Sequence, residues 1–88
     1  MENELISHRL QGDILRALSV FYPYAPTGKQ YFNCFGERDE FQMLINVMSL
    51  VAKGLVSRRA VIDVKGCATL SLCHLKLTQK GFSYALTH

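Results

Sequence analysis

The clearest pattern in the chain is a helical repeat of apolar residues between positions 36 and 56. Asp39 stands before the repeat and can cap a helix whose first turn carries Glu40, a favourable place for negative charge. Lys53 and Gly54 follow the repeat, and a basic last turn before a glycine is typical of a helix end. The pattern therefore predicts a helix that begins after Asp39 and ends before Gly54.

The residues before this helix predict two further helices separated by a break. Apolar residues share one face of a helix from about Leu5 to Phe21. Two prolines and a glycine between residues 22 and 28 stop that helix. Thr27 can then cap a short helix over residues 28–34. Its expected inward residues are Tyr31 with Phe32 or Phe35.

The residues after the central helix alternate between apolar and polar, as strands do. A first strand is expected from Val56 to Val64, and Lys65-Gly66 supplies the tight turn of a hairpin. The return strand, residues 67–77, changes phase, which predicts a bulge near Cys73-His74.

Thr78 follows the second strand and can cap a last short helix. The apolar residues Phe82 and Leu86 are expected to pack that helix against the rest of the chain. The sequence thus predicts three helices, a two-stranded antiparallel hairpin and a closing helix.

Several of these motifs resemble those of the winged helix-turn-helix family. The Lys-Gly-Leu-Val end of the central helix is similar to the third helix and first wing strand of that family. The stretch ILRALSVFYP, with the Pro-Thr and short helix after it, resembles the opening, and Leu77-Thr78-Gln79-Lys80-Gly81 resembles the close. The resemblance implies an α+β fold, one winged-helix domain over residues 1–88, and a member of the small bacterial or phage type.

Charge is distributed unevenly along the chain. Residues 1–52 carry four basic and six acidic side chains, a net charge of −2, whereas residues 53–88 carry six basic and one acidic, a net charge of +5. This asymmetry suits an anionic partner. The alternative is a solvated basic hairpin edge that discourages strand pairing.

One prediction is that the domain binds double-stranded DNA as a small transcriptional regulator, as the resemblance implies. A narrow polar stripe on the central helix offers amide side chains, which suit adenine edges, while basic residues of the wing hold phosphates. The predicted DNA-contacting residues are Gln42, Asn46, Ser49, Lys53, Arg58, Arg59 and Lys65.

The alternative is a winged-helix module for protein contacts without sequence-specific DNA binding. The apolar arc of the central helix extends beyond the expected core positions Met43, Val47 and Leu50. Winged-helix proteins that read bases usually carry polar residues at the positions where this chain has Leu44, Ile45 and Met48. The expected protein interface consists of Phe41, Ile45 and Met48.

The composition adds an argument for self-association. With 49% hydrophobic residues and a mean hydropathy of +0.09, the chain is apolar for 88 residues, because small domains have proportionally more surface to cover. Part of this apolar surface is therefore expected in the interface of a symmetric homodimer.

The sequence contains no motif for catalysis or cofactor binding. Its histidines lack metal-ligand spacing, and Cys73-His74, as neighbours on a strand, would point to opposite faces. No glycine-rich phosphate loop follows a strand. We expect neither enzymatic activity, nor a metal, nor a cofactor, nor a small-molecule ligand.

The cysteine content and the apolar runs bear on localisation. Three cysteines without CxxC spacing, and no recognisable signal peptide, indicate reduced thiols in a cytoplasmic protein. No apolar run approaches the ~18–20 residues that span a membrane.

Overall fold

The computed structural model describes residues 5–87 as an α+β fold with four α-helices and one two-stranded antiparallel hairpin. The helices are α1 (His8–Phe21), α2 (Gly28–Phe35), α3 (Glu40–Ala52) and α4 (Gln79–Thr87), and the strands are β1 (Val61–Val64) and β2 (Cys67–Leu70). The predicted order of three helices, a hairpin and a closing helix is confirmed. The structure does not describe residues 1–4 and 88.

Side-chain caps fix the starts of the first three helices. The Ser7 hydroxyl accepts a hydrogen bond from the Leu10 amide at 3.1 Å, so α1 begins three residues later than the predicted Leu5. Thr27 forms a capping box with Gln30, and the Asp39 carboxylate accepts from the Gln42 amide at 2.8 Å. Each cap satisfies an amide that the helix itself leaves without a partner.

The end of α3 is a Schellman motif, as the Lys-Gly pattern predicted. Gly54 has a φ of +76°, its amide donates to the Val51 carbonyl at 2.9 Å, and the Leu55 amide donates to Leu50 at 3.0 Å. Glycine is favoured there because other residues are strained at positive φ.

The hairpin has the predicted turn but shorter strands. Val64 pairs with Cys67, and Lys65 and Gly66 have φ values of 53° and 82°, as a two-residue type I′ turn requires. The residues before β1 form a 3-10 turn at Arg58–Ala60, and Val56 pairs with Leu77 only as an isolated bridge. The prediction of a bulge near Cys73-His74 is wrong, because a second 3-10 turn, Leu72–His74, follows β2 there.

The core lies between α1, α3 and the residues that flank the hairpin. The expected core positions of α3, Met43, Val47 and Leu50, are all buried. Phe35 fills the core position on α2, whereas Phe32 is 69% exposed. The other buried hydrophobic residues are Leu10, Ile14, Leu15, Leu18, Leu55, Val56, Ala60, Leu75 and Leu77.

The closing helix α4 packs against α1 and against the loop after it. The Phe82 ring stacks on Tyr22 with 4.3 Å between ring centroids. The expectation that Leu86 also packs inward is wrong, since its side chain is 69% exposed. Of the two predicted anchors, Phe82 packs inward and Leu86 does not, while Ala85 also lies against the core.

A junction of hydrogen bonds joins residues 54–57 to residues 76–81. The Thr78 hydroxyl donates to the Gly54 carbonyl at 2.6 Å and accepts from the Gly81 amide at 3.0 Å, which is the predicted cap of α4. The Thr78 amide donates to Leu55 at 3.1 Å, and the Ser57 amide donates to Lys76 at 2.9 Å. A Cβ atom on Gly81 would lie 1.9 Å from the Leu55 carbonyl oxygen, so only glycine permits this approach.

No helix among residues 5–87 combines the length and the apolar character that a membrane span requires.

Candidate interaction surfaces of the third helix and the hairpin

The centre of the polar stripe of α3, Asn46, faces α1 and not the solvent. Asn46 is 0% exposed, and its amide group uses its full hydrogen-bonding capacity inside the protein. Its Oδ1 accepts from the Ser7 amide at 2.9 Å and from Gln11 Nε2 at 3.0 Å. Its Nδ2 donates to the carbonyls of Leu5 at 2.7 Å and Gln42 at 2.8 Å. The prediction that Asn46 contacts DNA is wrong for this arrangement, because the amide has neither exposure nor a free donor or acceptor.

The same polar network reaches the end of α3. Gln11 is also buried, and its Oε1 accepts from Lys53 Nζ at 2.9 Å. Lys53 is itself exposed, whereas Gln42 and Ser49 are half-buried. The structure therefore brings Asn46 and Lys53 of the stripe to Gln11 of α1, and of the four stripe residues only Lys53 is left well exposed.

Sequence reasoning missed Gln11 as a partner of this stripe. Gln11 precedes the core residue Leu18 by seven positions, which places both at nearly the same angle around α1. A polar residue on the apolar face of a helix was the signal that could have revealed it.

The opposite face of α3 is apolar and partly open. Phe41 is 56% exposed and Met48 is 41% exposed, while Leu44 and Ile45 between them are half-buried. These four residues, with Ala52, are called here the outer face of α3. The predicted interface residues Phe41, Ile45 and Met48 thus share one accessible surface.

A groove of about 460 Å³ adjoins this outer face, between α3, Tyr31 of α2 and strand β2. Phe41 and Leu44 line it on one side, and Ala68 and Leu70 on the other. Burial, and secondarily the nearby Glu40 carboxylate, raise the pKa of the Tyr31 phenol above its ordinary value of 10.0. Both causes disfavour the phenolate, so the Tyr31 side chain is uncharged at physiological pH.

The two ends of α3 carry opposite charge. Glu37, Asp39 and Glu40 are exposed around its first turn. Lys53 is the C-terminal cap of α3, and Arg58 and Arg59 follow in the 3-10 turn before β1. Helix α3 therefore has an acidic N-terminal end and a basic C-terminal end.

The basic hairpin residues are accessible. Arg58, Arg59 and Lys65 are exposed, and among residues 5–87 the ion pairs involve only Asp13 with Arg16 and Arg38. Arg58 and Arg59 precede β1, and Lys65 occupies the tip of the turn. Their charges are thus available to an anionic partner.

The cysteines are exposed and free, and one of them has a histidine neighbour. Cys73 Sγ lies 3.6 Å from His74 Nδ1, and Ser71 Oγ lies 3.0 Å from the same nitrogen. The expectation that Cys73 and His74 point to opposite faces is wrong, because they belong to a 3-10 turn and not to a strand. Residues 5–87 bring together no group of three or more His, Cys, Asp or Glu side chains that could hold a metal ion.

These features define a small α+β protein with an apolar helix face and a basic hairpin. No family model, curated protein or solved structure was found to match the chain.

Proposed function

We propose that this protein is a winged-helix domain that acts through protein contacts, by pairing with a second copy of itself along the outer face of α3. The order of three helices, a hairpin with a tight turn and a closing helix supports the winged-helix assignment. The Lys-Gly end of α3 and the Leu-Thr-x-x-Gly close resemble that family at the matching positions.

One observation carries the choice of protein contacts. Asn46, an amide side chain suited to reading bases, is buried against α1, while the exposed side of α3 presents Phe41 and Met48. An exposed apolar strip costs free energy in water and is typical of a protein interface. A base-reading surface needs hydrogen-bonding groups that face the groove.

The charge pattern favours a second copy as the partner. When two α3 helices pack antiparallel around a two-fold axis, the acidic end of each meets the basic end of the other. The dipoles of the two antiparallel helices also oppose each other favourably. The apolar centre, Ile45 and Met48, lies at the axis, as an isologous interface requires.

The expected affinity is modest. Full burial of one large apolar side chain contributes roughly 1.5–3 kcal/mol, but Phe41 and Met48 are already about half buried and Ile45 is more buried still. Pairing therefore gains only part of that value for each side chain, and the entropy cost of association opposes it. We expect a dimer that dissociates on dilution.

Light scattering of the purified protein from about 10 µM to about 1 mM tests this proposal over the range of weak dimers. The mass should rise with concentration from the chain mass of 10.0 kDa towards twice that value. Met48→Glu should keep its helical circular dichroism and remain a monomer. Val20→Glu, which adds the same charge at an exposed apolar position of α1, should dimerise like the wild type. A monomer at every concentration, or equal dimerisation of both variants, would refute the proposal.

A second candidate function is DNA binding through the basic hairpin. The observation in its favour is that Arg58, Arg59 and Lys65 are exposed and free of ion pairs among the described residues. Because Asn46 is buried, this binding would rely on phosphate contacts and would discriminate poorly between sequences. A titration with duplex DNA at several salt concentrations tests it. Steep weakening with salt supports the candidate, and no binding at low salt excludes it.

A further inference from the structure

A second cavity of about 420 Å³ lies between α1, α4 and the end of α3. Its lining shares no residue with the outer face of α3 or with the groove beside it. The volume falls in the lower part of the roughly 300–1,000 Å³ that small-molecule pockets occupy. The cavity therefore suits a small ligand and not a protein segment.

The cavity is cationic. Arg16, Lys53 and Lys80 line it from three different elements, and His8 adds a fourth basic side chain. No Asp or Glu of the described chain is part of its lining. Arg16 is already paired with Asp13, which lies outside the lining, so Lys53 and Lys80 supply the uncompensated charge.

Hydrogen bonds hold both ammonium groups in place. Lys53 Nζ donates to Gln11 Oε1 at 2.9 Å, and Lys80 Nζ donates to the Lys53 carbonyl at 3.2 Å. An ammonium group has three N–H donors, and these hydrogen bonds use one in each lysine. The remaining donors can serve an anion, and little side-chain freedom is lost because both groups are already anchored.

The rest of the lining is mostly apolar, with Gln11 as a further polar residue. Leu15, Leu50 and Leu55 form part of the wall, and each is at most 5% exposed. Gly12 on α1 and Ala85 on α4 also line the cavity, and their small size leaves the space open. Tyr84 on α4 lines it too and is 41% exposed, so an apolar group on a bound anion would cover ring surface that an inorganic anion would leave in contact with water.

We propose that this cavity is a binding site for a small organic carboxylate, whose apolar body packs against Tyr84 and Ala85 and whose carboxylate accepts hydrogen bonds from Lys53 and Lys80. The site is independent of the proposed pairing along α3, because the two surfaces have no residue in common.

The test uses two matched probes, 2-naphthoate and the neutral 2-naphthylmethanol, titrated into the ¹⁵N-labelled protein and followed by NMR. Naphthoate should shift the amide signals of α1 and α4 in a saturable way and should bind at least tenfold more tightly than the alcohol. Equal affinity of both probes, or shifts confined to the outer face of α3, would overturn the proposal.

Two kinds of variant test separately whether binding depends on the lysine charges and on the open space of the cavity. Lys53→Gln with Lys80→Gln should weaken naphthoate binding at least tenfold, while Lys29→Gln with Lys65→Gln, the same change of charge elsewhere, should not. Gly12→Leu should abolish binding by filling the space, without any change of charge, and its circular dichroism verifies the fold. Undiminished binding by Lys53→Gln/Lys80→Gln or by Gly12→Leu would contradict the assignment of this site.

Discussion

Gln11 and Asn46 lie 35 positions apart in the sequence, yet Gln11 Nε2 donates to Asn46 Oδ1 at 3.0 Å inside the protein. Asn46 is completely buried between α1 and α3 and binds the chain just before α1 as well. A buried amide that satisfies all its partners fixes how two helices face each other, because any slip would leave polar groups without partners. The pair therefore sets the register of α1 against α3.

We predict that Asn46→Ala lowers the free energy of unfolding by on the order of 3 kcal/mol, because several buried polar groups lose their partner at once. Urea denaturation followed by circular dichroism measures the loss. Asn33→Ala, at an exposed position of α2, is the matched control and should change stability by less than about 0.5 kcal/mol. Equal stability of both variants would show that the network does not hold the helices together.

The same substitution should have opposite effects at two glycines. At Gly81 a Cβ atom would lie 1.9 Å from a backbone oxygen, so Gly81→Ala must push α4 away from Leu55 and should destabilise the protein by several kcal/mol. At Gly12 the nearest atom would be Arg16 Nη1 at 3.5 Å, an ordinary van der Waals distance. Gly12→Ala should therefore stabilise the protein by about 0.5–1 kcal/mol through helix propensity. Thermal denaturation checks whether Gly81→Ala lowers the melting temperature and Gly12→Ala raises it.

We predict that the hairpin dominates any affinity for DNA. Arg58→Ala with Lys65→Ala should weaken binding of all duplex sequences alike and reduce the slope of log K against log salt by about 0.9 for each phosphate that the variant no longer neutralises. Arg9→Ala with Lys29→Ala removes the same charge types from exposed positions of α1 and α2 and should change the slope little. If the two pairs of substitutions behave alike, affinity for DNA would reflect net charge and not the hairpin.

Stability should fall at alkaline pH because of Tyr31. Its pKa in the folded protein lies above the ordinary 10.0, first through burial and then through the charge of Glu40. The stability that this raised pKa contributes is fully present below pH 10.0, the ordinary pKa, and is lost as the pH rises through the pKa of the folded protein. Tyr31→Phe should flatten the decline measured by urea denaturation between about pH 9 and 11, and Tyr24→Phe, at an exposed position, should not. If stability declines equally in Tyr31→Phe, the loss of stability at alkaline pH comes from other ionisable groups.

Local signals predicted the ends of the elements well. Asp39, Thr27 and Thr78 act as caps, and Gly54 and Lys65-Gly66 adopt positive φ, because each depends on a few neighbouring residues. The strands were predicted too long, since two 3-10 turns interrupt the alternation.

The direction of the polar stripe could not be predicted from α3 alone. Its polar residues have the spacing of a solvent-facing strip, and only the position of Gln11 on another helix shows that they face inward. The outer face of α3 was predicted correctly as a separate zone because the apolar arc was wider than the core required. The periodicity of α3 gives only the angles between its own faces. Which of these faces meets a neighbouring element depends on the residues of that neighbour as well.

The junction around Thr78 also governs how the protein opens. The end of α3 and the start of α4 share the bonds from Thr78 to Gly54 and Leu55 and the bond from Ser57 to Lys76, so neither segment can detach while the other keeps its partners. Groups of bonds that break together exchange their amide hydrogens at a common free energy. The amides of Ser57 and Thr78, 21 positions apart, should therefore exchange with deuterium at matching rates once differences in intrinsic rate are removed. The end of α3 and the closing helix should therefore open as one cooperative unit.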